Sequence, residues 1–111
     1  MAHPSFIIAK TKNDKFQFTL TAKNGQVILT SEQYNSKSAC RNGLESVKKN
    51  AEDASKFTKL TAKNGKFYFN LIATNGQIIG TSQMYSSESS RDNGIQSVEE
   101  NAPHAGIEET V

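Results

Sequence analysis

The sequence predicts an α+β fold: two tandem β-β-β-α modules, their antiparallel sheets covered by helices and disposed about a pseudo-twofold axis. Three observations carry that expectation. Residues 6–51 align without a gap on residues 57–102, with identity at 23 of 46 positions. Each copy opens with apolar residues at every second position, punctuated by Asn-Gly or Asn-Asp pairs. Each copy then closes on a segment of helical length behind a serine able to cap it. Two copies are too few for an open solenoid with protected ends, so a closed pair is the economical arrangement. At 111 residues the chain, 1–111, is expected to form one compact domain of two repeats, because a half of about fifty residues is marginal alone.

The first strand is read at Phe6 to Thr11 and again at Phe57 to Ala62, followed by the turn pairs Asn13-Asp14 and Asn64-Gly65. In the second strand Phe16, Phe18, Leu20 and Ala22 share a face, as do Phe67, Phe69, Leu71 and Ala73. Asn24-Gly25 and Asn75-Gly76 read as two-residue type I′ turns, whose central positions both need positive φ. Such turns set Leu20 opposite Leu29, Ala22 opposite Val27, Leu71 opposite Gly80 and Ala73 opposite Ile78. Two-residue turns at the first hairpins put Ile7 and Ala9 on the Phe18 face and Leu60 on the Phe69 face. The opposite face carries Gln17, Thr19, Thr21 and Ile28 in copy one, and the more apolar Tyr68, Ile72 and Ile79 in copy two. Which strands pair between copies, including an exchange of first strands, is left open by the sequence.

Ser36 and Ser87 are the expected helix caps, with helices over residues 37–49 and 88–100 ending at Asn50 and Asn101. Cys40, Gly43, Leu44 and Val47 form one apolar stripe, matched by Gly94, Ile95 and Val98. A mid-helix glycine costs about 1 kcal/mol relative to alanine. Its place on the inner stripe therefore points to close packing that excludes a Cβ. Lys48 and Lys49 suit a helix C-terminus; Glu99 and Glu100 do not. Residues 52–55 form a short linker, and the tail after Pro103 is expected to be irregular, with one short edge strand around Ile107.

Composition bounds the function classes. With 35% apolar and 22% charged residues the chain reads as a folded protein with a small core. The net charge of +2 does not argue for nucleic acid. Its distribution is uneven: residues 1–51 carry eight basic and three acidic residues, residues 52–111 five and eight. No apolar run approaches a membrane span and the N-terminus lacks the pattern of a secretory leader, so a cytoplasmic location is the expectation. The single cysteine, Cys40, has Arg91 at its equivalent position and is read as a small helix residue.

The polar residues common to both copies include no histidine, aspartate or glutamate, so the shared serines lack a base for nucleophilic catalysis. The carboxylates do not recur: Glu32 becomes Gln83, Glu45 becomes Gln96 and Asp14 becomes Gly65. His3 and His104 lie outside the repeats and form no repeated metal constellation. The expectation is a protein that is not an enzyme, with no cofactor and no metal. Thr30-Ser31 and Thr81-Ser82, each followed by Tyr34 or Tyr85, read as sheet-to-helix corners whose hydroxyls satisfy loop amides. Three contact surfaces are open. Lys10, Lys12, Lys15 and Lys23 could hold single-stranded nucleic acid or another anion, although stacking aromatics are absent from that copy. Ser36 and Ser87 at helix N-termini could hold an anion. Tyr68, Ile72 and Ile79 could meet a protein partner, the other half or a second copy of the chain.

The run KFYFNLIATNGQIIGTSQMYSSESSRDNGIQSVEENA, residues 66–102, resembles the YegP-like family, small bacterial proteins of unknown function built from one or two copies of this module. The first copy carries the same pattern as Phe18, Leu20, Ala22, Asn24-Gly25-Gln26, Ile28, Thr30-Ser31, Tyr34, Asn42-Gly43 and Ser46-Val47. The resemblance implies an α+β fold in which two modules associate about a twofold-like axis, and it brings no catalytic residues. The resulting expectation is a non-enzymatic interaction or scaffold module. The alternative is a binding module for single-stranded nucleic acid or another anionic ligand through the basic first repeat.

Overall fold

The computed structural model describes residues 3–110. In chain order the elements are β1 (Ser5–Lys10), β2 (Phe16–Thr21), β3 (Val27–Ser31), α1 (Lys37–Asn50), β4 (Phe57–Thr61), β5 (Phe67–Ile72), β6 (Ile78–Thr81), α2 (Glu88–Asn101) and β7 (Gly106–Glu109). Short 3-10 turns at Ala54–Lys56 and Ala102–His104 follow the helices. The strands form one seven-stranded sheet in the order β4-β5-β6-β3-β2-β1-β7, not the separate sheets expected from the repeat. Each first strand stays with its own copy, leaving the third strands free to join: β3 and β6 pair antiparallel through Thr30–Thr81 and Ser31–Gly80. The tail strand around Ile107 is β7, which runs parallel to β1.

The hairpin turns differ from the type I′ reading. Gly25 N–H donates to Ala22 O (2.9 Å) and Ala22 N–H to Gln26 O (2.9 Å), so the loop holds three residues. Only Gly25 has positive φ (84°), while Asn24 uses its side chain to accept from Gln26 N. Gly76 and Gly65 close their loops in the same way, and Asp14 takes the corresponding conformation at φ 63°. A three-residue loop shifts register by one, which moves every side chain of the strand to the other face. In β1 the shift persists: Ile8 opposes Phe18 and Phe6 opposes Leu20, so Phe6 and Ile8 enter the core while Ile7 and Ala9 turn away from it. Leu60 likewise opposes Tyr68 instead of joining the Phe69 face.

In β3 and β6 a bulge cancels the shift. Thr21 pairs with Val27 but Leu20 with Leu29, and Ile72 pairs with Ile78 but Leu71 with Gly80. The expected Leu20–Leu29 and Leu71–Gly80 pairs therefore hold. Ala22 and Ala73 instead bond to Gln26 and Gln77. The bulge also brings Ile28 and Ile79 into the core with Leu29, correcting their assignment to the outer face.

Both helices cover one face of the sheet, each lying over strands of both copies. α1 contacts β2, β5 and β6, and α2 contacts β5 and β3. Phe6, Phe18, Leu20, Leu29, Leu44 and Val47 are fully buried with Phe69, Leu71 and Val98. Ser36 and Ser87 cap the helices by accepting from the backbone N–H of Ala39 and Ser90, both at 3.0 Å. At the other ends Asn50 and Asn101 donate back to Ser46 O and Ser97 O, which is how the shared Ser and Asn of each helix are used.

Candidate interaction surface

Several of the repeated polar residues are consumed by the fold. Ser31 Oγ accepts from Phe18 N–H (2.9 Å) and donates to Glu32 O (2.7 Å); Ser82 repeats both contacts with Phe69 N–H and Gln83 O. Tyr34 bonds by its backbone to Phe16 and stacks its ring on Phe18 at 6.5 Å, as Tyr85 does with Phe67 and Phe69. Burial, with a smaller push from Cys40 and Glu32, holds the Tyr34 phenol above its ordinary pKa. The Thr-Ser…Tyr sequence is thus a corner between sheet and helix.

The side of the sheet away from the helices has no cover among the described residues. Strand pairing places Thr58–Asn70, Asn70–Thr81, Thr81–Thr30, Thr30–Thr19 and Thr19–Ile7 side by side, one row crossing six strands. Flanking positions are Leu60, Tyr68, Ile72 and Ile78 in the second repeat, and Val27, Thr21, Gln17 and Ala9 in the first. Opposed residues of antiparallel strands project to the same side, so the paired positions of this face from β4 to β1 are all uncharged. Glu108 on β7, opposite Ile7, is the first charged one. Val27 and Ile78 are 42% and 45% exposed near opposite ends of the β3–β6 seam. Over the first repeat the face dips into a concavity of about 640 Å³, lined by Ile7, Ala9, Gln17 and Thr19, with Lys10, Lys12 and Gln33 also lining it.

The other sequence-derived candidates scatter. Tyr68 and Ile72 are on the open face, half-buried, but Ile79 is 7% exposed and inside the core. Lys10, Lys12 and Lys15 surround the β1–β2 turn, whereas Lys23 lies in the β2–β3 turn at the other end of β2. Lys10 pairs with Asp14 at 3.7 Å, and Lys15 donates to Asn35. The four lysines therefore form no single patch. Ser36 and Ser87 have their hydroxyls engaged as caps. Among the described residues no group of three or more potential ligands could hold a metal, and no helix is long and apolar enough to cross a membrane. Cys40 is fully buried, and that burial raises its thiol pKa. Sequence reasoning missed the threonine row, because its recognition depends on the β3–β6 pairing.

A two-layer α+β protein with one seven-stranded sheet, two helices on one face and a twice-used Asn-Gly…Thr-Ser…Tyr module defines the structural class. The chain belongs to the family described as a domain of unknown function, DUF1508, whose model matches it twice, at residues 11–57 and 62–109. It is 55% identical over 102 residues to a UPF0339 protein of Shewanella oneidensis, spanning 92% of this chain and 93% of that one. The solution NMR structure of a UPF0339 protein from the same organism superposes with a TM-score of 0.90 at 53% identity, covering 96% of this chain and 90% of that one. The solution NMR structure of YegP from Escherichia coli, a protein of unknown function, gives 0.93 at 44% identity, with 99% and 95% covered. The resemblance to YegP-like proteins read from the sequence is therefore real over nearly the whole chain.

Proposed function

We propose that this protein is a non-enzymatic interaction module that meets a protein partner through the open face of its sheet. The carrying observation is the uncharged row of Thr58, Asn70, Thr81, Thr30, Thr19 and Ile7, continuous across both repeats. In a chain with 22% charged residues, a broad face whose paired strand positions carry no charge, with Val27 and Ile78 exposed on it, has the make-up of an interface core. In the same proposal the two β-β-β-α units make one compact domain about a pseudo-twofold axis. Its support is that Thr30 and Thr81, 51 positions apart in sequence, pair with each other. A cytoplasmic location fits a lone, buried, unpaired cysteine.

Nucleic-acid or anion binding through the basic repeat is the weaker reading, since Lys23 stands apart from the other three lysines and Tyr68 lies on the other repeat. One experiment tests both. Tagged protein and its Thr30→Lys/Thr81→Lys variant are used to capture partners from native cell extract, with and without nuclease. A nuclease-resistant partner protein held by the parent and lost by the folded variant supports the face. Capture unchanged by the two lysines overturns it, and capture abolished by nuclease favours the basic repeat.

A further inference from the structure

The two edges of the sheet are finished differently. On the first-repeat edge β7 lies alongside β1: Gly106 N–H donates to Pro4 O (3.0 Å) and Thr110 N–H to Ile8 O (2.9 Å). Ile107 sits beside Phe6 on the helix side. Glu109 is held by Lys37 (3.3 Å) and Arg41 of α1. On the second-repeat edge β4 is the last strand. Beside it Ala54, Phe57, Lys59, Asp92 and Ile95 line an open groove of 260 Å³. Phe57, Asp92 and Ile95 are the repeat equivalents of Phe6, Arg41 and Leu44, from the first-repeat edge that β7 completes.

Two equivalent helix positions beside the edges carry opposite charge. Lys37 and Arg41, which grip Glu109, have Glu88 and Asp92 as equivalents. A strand laid on β4 as β7 is laid on β1 would bring its Glu109-equivalent side chain to these two carboxylates, beside Lys59, the equivalent of Ile8. We propose that the β4 edge is a second docking site, distinct from the open face, for an extended basic segment of a partner. That segment adds as a strand parallel to β4, sets an apolar side chain into the groove over Phe57 and Ile95, and two residues later presents lysine or arginine to Glu88 and Asp92. Main-chain hydrogen bonds supply affinity in this mode, and alternate side chains supply selectivity.

The resident cations set the competition. Lys59 lies 3.3 Å from Asp92, and Arg91, whose side chain is nearly buried, reaches both Asp92 (3.2 Å) and Glu88 (3.6 Å). Lys59 and Asp92 are each about half exposed, at 54% and 48%. Exchanging that pair for another in water involves little free energy, and Arg91 can keep its place. The same carboxylates disfavour the chain's own tail: a second copy's β7 would set Glu109 against Glu88 and Asp92. The occupant is therefore a basic strand of a different protein and not a second copy.

A nonapeptide copying residues 103–111 with lysine in place of both glutamates is titrated into the full-length, isotope-labelled protein, alongside the unaltered copy. The expected result is saturable NMR shift changes along residues 55–61 and at Asp92 and Ile95, with the lysine peptide binding at least tenfold more tightly. Glu88→Lys/Asp92→Lys should reverse that preference, which a merely misfolded variant could not do. Thr30→Lys/Thr81→Lys should leave it unchanged, separating this edge from the open face. Equal binding of both peptides, or no saturable change at β4 with millimolar peptide, overturns the proposal. So do β4 shifts that depend on protein concentration alone, which would assign the edge to a second copy.

Discussion

Leu29 occupies the space over Gly80: a β-carbon added to Gly80 would lie 2.7 Å from Leu29 Cγ and 2.8 and 3.0 Å from its two methyl carbons. These residues hold the same place in the two repeats. Where β3 meets β6 there is room for one leucine, so the duplication has settled on one large and one small residue. Gly80→Leu is expected to destabilise by about 1–3 kcal/mol through overpacking. Leu29→Gly leaves a cavity, at about 2–5 kcal/mol if it behaves like other large-to-small changes. The exchanged pair Leu29→Gly/Gly80→Leu should recover most of that loss. Urea unfolding of the four-member cycle gives the coupling, and strictly additive effects would refute the shared-space account.

Gly43 and Gly94 stand in the helices because a tyrosine hydroxyl fills the place of the missing Cβ. The added carbon would lie 2.2 Å from Tyr34 Oη and 2.6 Å from its Cζ, and 2.3 and 2.7 Å from those of Tyr85. Alanine for glycine in an open helix gains about 1 kcal/mol. Here Gly43→Ala should instead lower stability by about 1–3 kcal/mol. Adding Tyr34→Phe should restore only part, since Cζ stays in the way. A rise in the thermal midpoint of Gly43→Ala alone would contradict this.

Much of this packing was legible. The glycine on each inner stripe announced a close approach, and the structure supplies a tyrosine as the group that makes it. The hairpins show where legibility stops. An Asn-Gly pair serves both a two-residue turn and a three-residue loop with its glycine left-handed, and the choice moves register by one. At β3 and β6 a bulge restored the pairing, so Leu20–Leu29 was foreseen. At β1 nothing restored it, so Ile7 and Ala9 were assigned the face that Phe6 and Ile8 hold. The open face was legible only in part: Tyr68 and Ile72 were read onto it, but Thr30 and Thr81 become neighbours only once the repeats join.

Ser31 and Ser82 each replace a ladder hydrogen bond with a side-chain one. Both are nearly buried, and each accepts from a buried phenylalanine N–H, at 2.9 and 3.0 Å. Ser31→Ala strands the Phe18 amide away from water, which costs about 1–3 kcal/mol. Ser82→Ala should match it. Exposed Ser55→Ala, outside the sheet, should cost less. Urea midpoints compare the three, and a Ser31→Ala value as small as that of Ser55→Ala would show the corner to be dispensable.

Acid stability should depend on Asp92. Burial raises its carboxyl pKa, but hydrogen bonds and charge from Lys59 and Arg91 outweigh this and bring the net value below the usual range. Hydrogen bonds from Ser55 lower Asp53 as well. A carboxyl lowered on folding contributes stability above its unfolded pKa of about 3.9, lost as pH falls through the folded value. Asp92→Asn should therefore flatten part of the decline in urea midpoint between pH 5 and 2, with Asp53→Asn removing a further share. An unchanged acid limb in both variants would show that neither contact contributes.

Cys40 gives the alkaline counterpart. Its thiol is fully buried and its pKa is raised by that burial, so the folded protein binds the proton more tightly than the unfolded chain. The contribution is complete below the unfolded thiol pKa of about 8.5 and is lost as pH rises through the folded value. Tyr34, raised in the same direction, prolongs the decline toward higher pH. Two results follow. The stability difference between the parent and Cys40→Ala should shrink steadily from pH 8 to 10. Alkylation of the native thiol by iodoacetamide at pH 7.5 should be far slower than in urea, because attack needs an exposed thiolate. Equal rates in the two solvents would mean that α1 opens freely from the sheet, against the burial of Cys40, Leu44 and Val47 together.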